Sequence, residues 1–376
     1  MSERKGSSPE SPRILVVNAG SESVKLSVID GTDRLVAEKH LGPPDTLFAE
    51  QLKEFLDEVG VIDIVGHRVV HGGSMFTTAT EITPKVRDEL NQLNSLAPLH
   101  NPPALVAIDA IQNLLSKVRQ IACFDTGFHV GLLPRAFTYA IPAEWNLRWG
   151  IRKYGFHGLS CAWSLNRAAQ ILGRPREKLR LVVCHLGGGA SATAISDGKS
   201  VDTTMGFTPV EGLVMATRSG DFDPGALLWV LTQGLSVEEV SLAIEHRSGL
   251  LGLSGGGSDD MKKLLDARAI GDERAALAIE VYLHRLRAKV AAMIAAIEGI
   301  DALVFTGGVG ENSAVIRAEA TDGMRWLGVK VDNQKNKSVM DDDADISTLG
   351  ASVRTLVVHS REDLQIAKEC RQLLLM

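Results

Sequence analysis

The chain of 376 residues has few cysteines, few aromatic residues and no long apolar run. Its four cysteines, Cys123, Cys161, Cys184 and Cys370, form neither a CxxC pair nor a Cys/His ligand spacing. They are expected to be buried free thiols in a reducing compartment. We recognise neither a signal peptide nor an apolar segment of membrane-spanning length, so the expected location is the cytoplasm, with no membrane partner.

The charge balance excludes another class of partner. The chain has 40 basic and 46 acidic residues, a net charge of −6. No basic block stands out, so nucleic acid is not an expected partner. The sequence also lacks the GxxxxGK[ST] motif of a P-loop. With 45% apolar residues, the length predicts two or three domains with ample cores, preceded by a polar, disordered tail over residues 1–12.

Two stretches of the chain share one pattern, an apolar strand, a glycine-containing turn and a second strand. LVVCHLGGGASATAISDG over Leu181–Gly198 aligns without a gap on ILVVNAGSESVKLSVIDG over Ile14–Gly31, which places His185 on Asn18. Glycine turns let backbone N–H groups approach an anion closely. The repeat predicts two related domains whose turns border one cleft. Any two hairpins look alike, however, so the repeat alone leaves an accidental likeness open.

The rest of the chain alternates strands and helices, which is typical of an α/β fold in two halves. The strand Ala302–Phe305 is followed by the turn TGGVGEN and a helix, a further candidate nucleotide contact. Thr204–Gly225 is long, punctuated by Gly and Pro, and expected to be functional. Ser248–Ser258 is expected to be a flexible glycine loop, and Asp272–Glu298 a long helix with an apolar stripe.

Single charged residues in unusual places are the candidate site residues. Arg68 lies inside an apolar strand, which favours a ligand-facing arginine over a structural ion pair. Asp125 ends another strand, where a metal-linked or basic carboxylate and a capping aspartate are both plausible. His157 is expected near a helix N-terminus, where an anion is favoured, although such a histidine is more often structural. Lys25 follows the first turn and could meet a phosphate or be a solvated strand lysine.

Nine motifs occur in an order that resembles the acetate kinase family (acetate/propionate kinases), over nearly the whole chain. They are NAGSESVKLSVID, GHRVVHGG, APLHNPP, YGFHG, CHLGGGAS, GLVMATRSGDFDPG, SGLLGLSG, FTGGVGENS and HSREDLQIA. The resemblance implies the duplicated two-domain fold of sugar kinases, Hsp70 and actin, which is ribonuclease H-like with a cleft between the domains. It implies an N-terminal acyl-side domain over 13–127 plus 364–376 and a nucleotide-binding domain over 128–363. Members are homodimers that use ATP and Mg²⁺ (Mn²⁺ could replace it) to convert a short carboxylate into an acyl phosphate, reversibly.

The resemblance also assigns roles to residues. The catalytic positions are Arg68, Asp125, His157 and Arg218, and the metal is placed near Asp125 and Glu362. The acyl pocket matches Val70, Leu99, Phe156 and Pro209. The nucleotide side matches Asn18, Ser21, Ser23, Lys25, His185, Gly187, Gly188, Gly189, Asp259, Gly307, Gly308, Gly310, Glu311 and Asn312. One methylene changes binding in such a pocket by roughly 1–3 kcal/mol, so acetate and propionate should be poorly separated.

Three departures from the family pattern fall mainly on the nucleotide side. Gly188 replaces the usual Asn of the second phosphate turn, and Met261 replaces an Arg expected against adenine. Leu159-Ser160-Cys161 stands where Thr-Ser-His is usual. The main hypothesis is in-line phosphoryl transfer from ATP to acetate or propionate. The alternatives are pyrophosphate or another nucleotide as donor, against which the intact GGVGEN turn argues, and a non-catalytic nucleotide switch of the actin/Hsp70 type. The joint presence of Arg68, Arg218 and His157 argues against the switch.

Overall fold

The computed structural model describes residues 12–20, 23–44, 47–98 and 100–375. All of the expected tail except residue 12 therefore lies outside the described residues. The chain divides into two compact units. The first unit ends at Gly127 and resumes at Arg361, and the second unit comprises Phe128–Ser360. The C-terminal helix packs on strands of the first sheet and belongs to the first unit, and the expected domain bounds of 364–376 stay a prediction.

The strands are β1 (Ile14–Ala19), β2 (Val24–Ile29), β3 (Leu35–Leu41), β4 (Ile64–Val69), β5 (Thr80–Glu81), β6 (Arg119–Phe124), β7 (Leu181–Leu186), β8 (Ala190–Ser196), β9 (Lys199–Thr203), β10 (Ala302–Thr306), β11 (Ala344–Asp345) and β12 (Arg354–Val357). The α-helices are α1 (Phe48–Val59), α2 (Pro84–Gln92), α3 (Asn101–Leu114), α4 (Pro134–Phe137), α5 (Ala143–Trp149), α6 (Gly158–Leu172), α7 (Pro224–Thr232), α8 (Val237–His246), α9 (Gly249–Leu253), α10 (Met261–Ala269), α11 (Glu273–Ala296), α12 (Gly307–Asn312), α13 (Ala314–Asp322), α14 (Asn333–Ser338) and α15 (Glu362–Leu374). Single 3-10 turns lie at Leu93–Leu96, Gly127–His129, Arg176–Lys178 and Arg325–Leu327.

The first unit is built on a sheet with the strand order β3-β2-β1-β4-β6-β5. β1, β2 and β3 form an antiparallel meander, β4 and β6 run parallel to β1, and β5 is antiparallel to β6. The central strands are buried along their length, as expected for parallel strands covered on both faces. Gly66 of β4 admits α15 closely, because a Cβ there would lie 2.6 Å from Ile366 Cγ2.

The second unit repeats this topology, with the strand order β11-β12-β10-β7-β8-β9 and the same strand directions. The duplicated α/β fold expected from the repeat is therefore present. The gapless alignment of the two hairpins holds for the first strand only. Asn18 pairs with Lys25, whereas His185 pairs with Ser191, so the second turn is one residue shorter. Three consecutive glycines make the tighter turn possible.

Two expectations for the second unit have different outcomes. The long helix is present as α11, with its apolar stripe buried. The expected flexible loop Ser248–Ser258 is wrong over its first half, where α9 forms and docks on the segment before Ser219. Leu250 N donates to Met215 O at 2.9 Å, and a Cβ on Gly249 would lie 2.2 Å from that same oxygen. Gly249 and Gly252 permit close backbone contact here.

The four cysteines are buried free thiols, as expected. Across residues 12–20, 23–44, 47–98 and 100–375, no helix has the length and apolar character needed to cross a membrane.

Candidate active site

A buried ion pair joins the ends of two neighbouring parallel strands in the first unit. Arg68 is the penultimate residue of β4, and Asp125 directly follows β6. The Arg68 guanidinium donates from Nε to Asp125 Oδ1 at 3.0 Å and from Nη2 to Oδ2 at 2.5 Å. The side chains are 17% and 1% exposed, respectively. The carboxyl ends of parallel strands meet at one sheet edge, which explains how residues 57 positions apart come together.

Asn18 and Glu362 complete this group. Arg68 Nη1 donates to Asn18 Oδ1 at 3.2 Å, and Asn18 Nδ2 donates to Glu362 Oε2 at 3.2 Å. Glu362 Oε2 also lies 3.6 Å from Arg68 Nε. Burial alone would lower the pKa of Arg68, but the charges of Asp125 and Glu362 outweigh it and raise the pKa above its ordinary value. The arginine is therefore both a partner of two carboxylates and partly accessible to a ligand.

The other predicted residues of this unit have mixed outcomes. Val70 is buried directly after β4, and Ser23 is exposed in the first turn. The Lys25 ammonium pairs with Glu38 of β3 at 2.8 Å, so it is directed along the sheet as a strand lysine. Ser21 and Leu99 lie outside the described residues, so their predicted roles stay predictions.

In the second unit, two histidines stack on each other. His157 directly precedes α6, as expected, with a left-handed backbone (φ 57°), and His185 is the penultimate residue of β7. Their ring centroids lie 4.0 Å apart, with the planes inclined by 21°. His157 Nδ1 lies 3.0 Å from Ser191 Oγ, and His185 Nδ1 lies 2.8 Å from Ser160 Oγ. The two serines thus hold both rings through their Nδ1 atoms.

The second glycine turn, Gly187–Gly189, lies against these histidines and an arginine. A Cβ on Gly189 would lie 3.2 Å from Arg218 Nη2 and 3.3 Å from His157 Nε2. Arg218 is held in turn by donation from Nη1 to Pro209 O at 2.8 Å. Pro209 and Phe156 are buried. The structure therefore brings together the turn, one imidazole and one guanidinium, all of which can donate to an anion.

The third glycine segment adjoins the second turn. GGVGEN forms the short helix α12 directly after β10, and a Cβ on Gly187 would lie 3.8 Å from Gly308 N. The Glu311 carboxylate accepts from Gly307 N at 2.7 Å and from Ser360 N at 2.8 Å. Asn312 Nδ2 donates to Gly308 O at 2.8 Å. The side chains of Glu311 and Asn312 therefore contact the backbone of α12 itself. Gly307 allows a close approach to β7, because a Cβ there would lie 2.9 Å from Leu186 O.

The structure shows the surroundings of the three positions that depart from the family pattern. A Cβ on Gly188 would meet nothing within 4 Å, so the missing asparagine would have had room. Met261 begins α10 with its side chain buried, and Asp259 is exposed just before it. The position expected to carry an arginine is thus part of the core. In Leu159-Ser160-Cys161, the serine of the usual Thr-Ser-His is retained, and Ser160 contacts His185.

Tyr139 supports the segment 204–223, which contains Arg218, through a contact that the sequence does not indicate. No helix or strand occurs between Thr203 and Pro224, as expected. The Tyr139 hydroxyl donates to the Glu211 carboxylate and accepts from Phe207 N at 2.8 Å. Burial raises the pKa of Glu211. Tyr139 was missed because it lies 72 residues from Glu211, outside every motif.

Duplicated sheets of one strand order, each with charged residues and glycine turns at the ends of its central strands, define the fold shared by sugar kinases, Hsp70 and actin. A solved structure of a putative N-acetylmannosamine kinase from Listeria monocytogenes (TM-score 0.52, 12% identity, covering 96% of this chain and 99% of that one) shares the fold alone. The family model for the Acetokinase family matches residues 37–368. The chain belongs to this family.

Individual relatives are also members of this family by name. A protein named acetate kinase from Microcystis aeruginosa is 46% identical over 327 residues, which is 87% of this chain and 80% of the relative. The crystal structure of Porphyromonas gingivalis acetate kinase is 37% identical, with a TM-score of 0.89 over 96% of this chain and 100% of that one. A propionate kinase from Francisella tularensis is equally identical at 37%, with a TM-score of 0.88 over 95% and 98%.

Proposed function

We propose that this protein transfers the γ-phosphoryl group of ATP to acetate or propionate, giving an acyl phosphate and ADP, and catalyses the reverse reaction. The observation that carries the proposal is the buried Arg68–Asp125 pair with its two further partners, at the strand ends of the first unit. Membership of the Acetokinase family supports the same reaction, and the relatives named above are acetate and propionate kinases.

The chemistry needs positioning and charge neutralisation rather than a strong base. A carboxylate substrate is already ionised at pH 7 and can attack in line without losing a proton. In this proposal Arg68, Arg218 and His157 stabilise the equatorial oxygens of the transferring phosphoryl group. Asp125 holds the Arg68 fork in position and contributes to metal orientation.

The proposed metal is Mg²⁺, which the carboxylates of Asp125 and Glu362 would hold together with the nucleotide phosphates. Magnesium is commonly bound by one or two carboxylates together with substrate phosphates. Two neighbouring carboxylates that share Arg68 fit this donor set. When bound, Mg²⁺ would neutralise phosphate charge. Without the metal, Arg68 would still hold the two carboxylates in place.

We assign the acyl side to the first unit, with Val70 and Leu99 as residues of the acyl pocket. Phe156 and Pro209 are proposed as further residues of that pocket. The nucleotide side is assigned to the second unit. Its glycine segments at Gly187–Gly189 and Gly307–Asn312 would receive phosphates and adenosine. Among the other predicted contacts, the Lys25–Glu38 pair gives least support to a phosphate role for Lys25. A cytoplasmic location is proposed from the need for ATP and from the free thiols.

The proposal is tested by trapping acyl phosphate as the hydroxamate, with acetate or propionate, Mg²⁺, and ATP, GTP or pyrophosphate in parallel. We expect product with ATP. Product with pyrophosphate alone would contradict the proposed donor, and binding of ATP without product from any donor would favour a nucleotide switch. Arg218→Ala should lower turnover by about 10²–10³-fold, the cost of losing a transition-state donor, without changing the far-UV circular dichroism. Near-normal turnover would refute its role.

We also propose that the protein is a homodimer that pairs through α7 and the segment after it. α7 reads PGALLWVLT, yet none of its residues is buried in the described chain. Leu228 and Trp229 are 64% and 62% exposed. A contiguous apolar face of this kind is typical of a protein interface. The double variant Leu228→Glu, Trp229→Glu should be monomeric by light scattering, whereas the control Ile270→Glu, at an isolated exposed apolar residue, should keep the dimer. A monomeric wild-type protein would refute the proposal.

A further inference from the structure

The second unit contains a buried cation that no motif singled out. Arg317 of α13 is 1% exposed and is among the largest fully buried side chains. Its partners are neutral oxygens. Nη1 donates to Gly310 O at 2.9 Å and to Glu311 O at 2.5 Å, and Nε and Nη2 each donate at 2.7 Å to Asn336 Oδ1 and Asn336 O. Burial lowers the pKa of Arg317 to about 10, so the guanidinium stays charged at neutral pH.

The two carbonyls that Arg317 takes belong to the end of α12. The last carbonyls of a helix have no partner inside the helix and must find one elsewhere. Val309 O accepts from Ser313 N, and Arg317 supplies the donors for the next two carbonyls. The beginning of α12 is held independently, by the Glu311 carboxylate on Gly307 N. The six-residue segment is thus fixed at both ends by side chains.

Arg317 also connects this segment to a more distant part of the chain. Asn336 of α14 is buried, accepts twice from Arg317, and donates from Nδ2 to Ala314 O at 2.8 Å. A planar guanidinium can make these bonds in fixed directions at once, which a flexible ammonium cannot. Movement of α12 would break bonds to a buried charge, so the segment is held rigidly relative to α14.

We propose that Arg317 is a positioning residue for the phosphoryl donor, which sets the backbone of Gly307–Asn312 in the geometry that receives the nucleotide. The proposal rests on the assignment of this segment to the nucleotide side. The proposed role of Arg317 differs from those of Arg68 and Arg218. Arg317 contacts α12 from within the core and is itself too buried to touch a substrate. Its loss should therefore weaken nucleotide binding and leave the carboxylate substrate's KM unchanged.

The test compares Arg317→Met, Arg317→Lys and the control Arg325→Met, whose wild-type arginine is exposed and paired with Asp322. For Arg317→Met, the KM for ATP should rise about tenfold or more, because buried carbonyls lose their donors. The KM for acetate should stay within about twofold. Arg317→Lys should recover part of the loss, and Arg325→Met should match wild type. An unchanged KM for ATP, or equal rises in both KM values, would overturn the proposal.

Two further measurements keep the test decisive. The dissociation constant of ATP, measured by calorimetry without acetate, reports nucleotide binding independently of turnover. If wild-type protein binds ATP but forms no acyl phosphate, the proposed reaction is refuted while the positioning role of Arg317 can still be tested. If Arg317→Met does not fold, Asn336→Ala retains the cation and removes the side-chain acceptor. It should weaken ATP binding in the same direction, while wild-type affinity in a folded Asn336→Ala variant would count against the positioning role.

Discussion

Replacing Arg68 with Met should destabilise the protein far more than removal of an ordinary surface arginine. Methionine keeps much of the aliphatic packing but leaves Asp125, 1% exposed, and Glu362, 13% exposed, without their cation. Breaking a buried ion pair by removing one partner costs about 3–5 kcal/mol. At about 2–4 °C per kcal/mol for a cooperative unit of roughly 150 residues, the thermal midpoint of the first unit should fall by roughly 6–20 °C.

The chain contains a matched control in the same unit. Arg87 also forms a two-pronged bond with an aspartate, at 2.8 and 2.7 Å to Asp109, but this pair lies at the surface. Exposed pairs contribute about 0–1 kcal/mol, so Arg87→Met should lower the midpoint by about 4 °C at most. Scanning calorimetry of both variants at one pH is the measurement. Equal midpoints would refute the reasoning that burial, and not bond geometry, makes the Arg68 pair important.

Two more predictions concern the second unit. Gly189→Ala should lower turnover at least tenfold, because its Cβ would lie 3.2 Å from Arg218 Nη2, whereas Gly188→Ala has open space and should stay near wild type in the hydroxamate assay; similar losses in both variants would contradict this. Burial lowers the pKa of His129 to about 4, so the unfolded chain binds more protons between pH 4 and 6.5. Stability should therefore be complete above about pH 6.5 and decline as the pH falls toward 4, by up to about 3 kcal/mol. His129→Asn should make the thermal midpoint decline less steeply than in wild type over that window, while His67, whose pKa burial also lowers to about 4, keeps its share of the decline. A profile parallel to wild type would refute the assignment.

Much of the fold could be predicted from local patterns. Apolar runs bounded by glycine turns predicted the central strands, and the apolar stripe of α11 follows from helical periodicity. The repeat predicted the duplication, but the one-residue difference between the two turns could not be read from a gapless alignment. It became visible only from the pairing of Asn18 with Lys25 and of His185 with Ser191.

The candidate site was predicted less completely. Asn18, Arg68, Asp125 and Glu362 were each singled out, and the structure brings them into one group. Lys25 looked equally suited to a phosphate, but its ammonium pairs with Glu38, which lies two residues from its register partner His40 on the neighbouring strand β3. The flexible loop expected at Ser248 was wrong because glycine content alone does not distinguish a mobile segment from one that needs close backbone contact.

The sequence alone thus determined the α/β class, the duplication, the family and most of the residue types that carry the chemistry, because these depend on patterns within short stretches. The tertiary structure alone decided which charges are paired and which side chains support the site. Tyr139 meets Glu211, and Arg317 meets Asn336, through contacts between elements whose proximity no short stretch encodes. Strand order and helix packing set those neighbours, and burial then determines how strongly each contact holds the site.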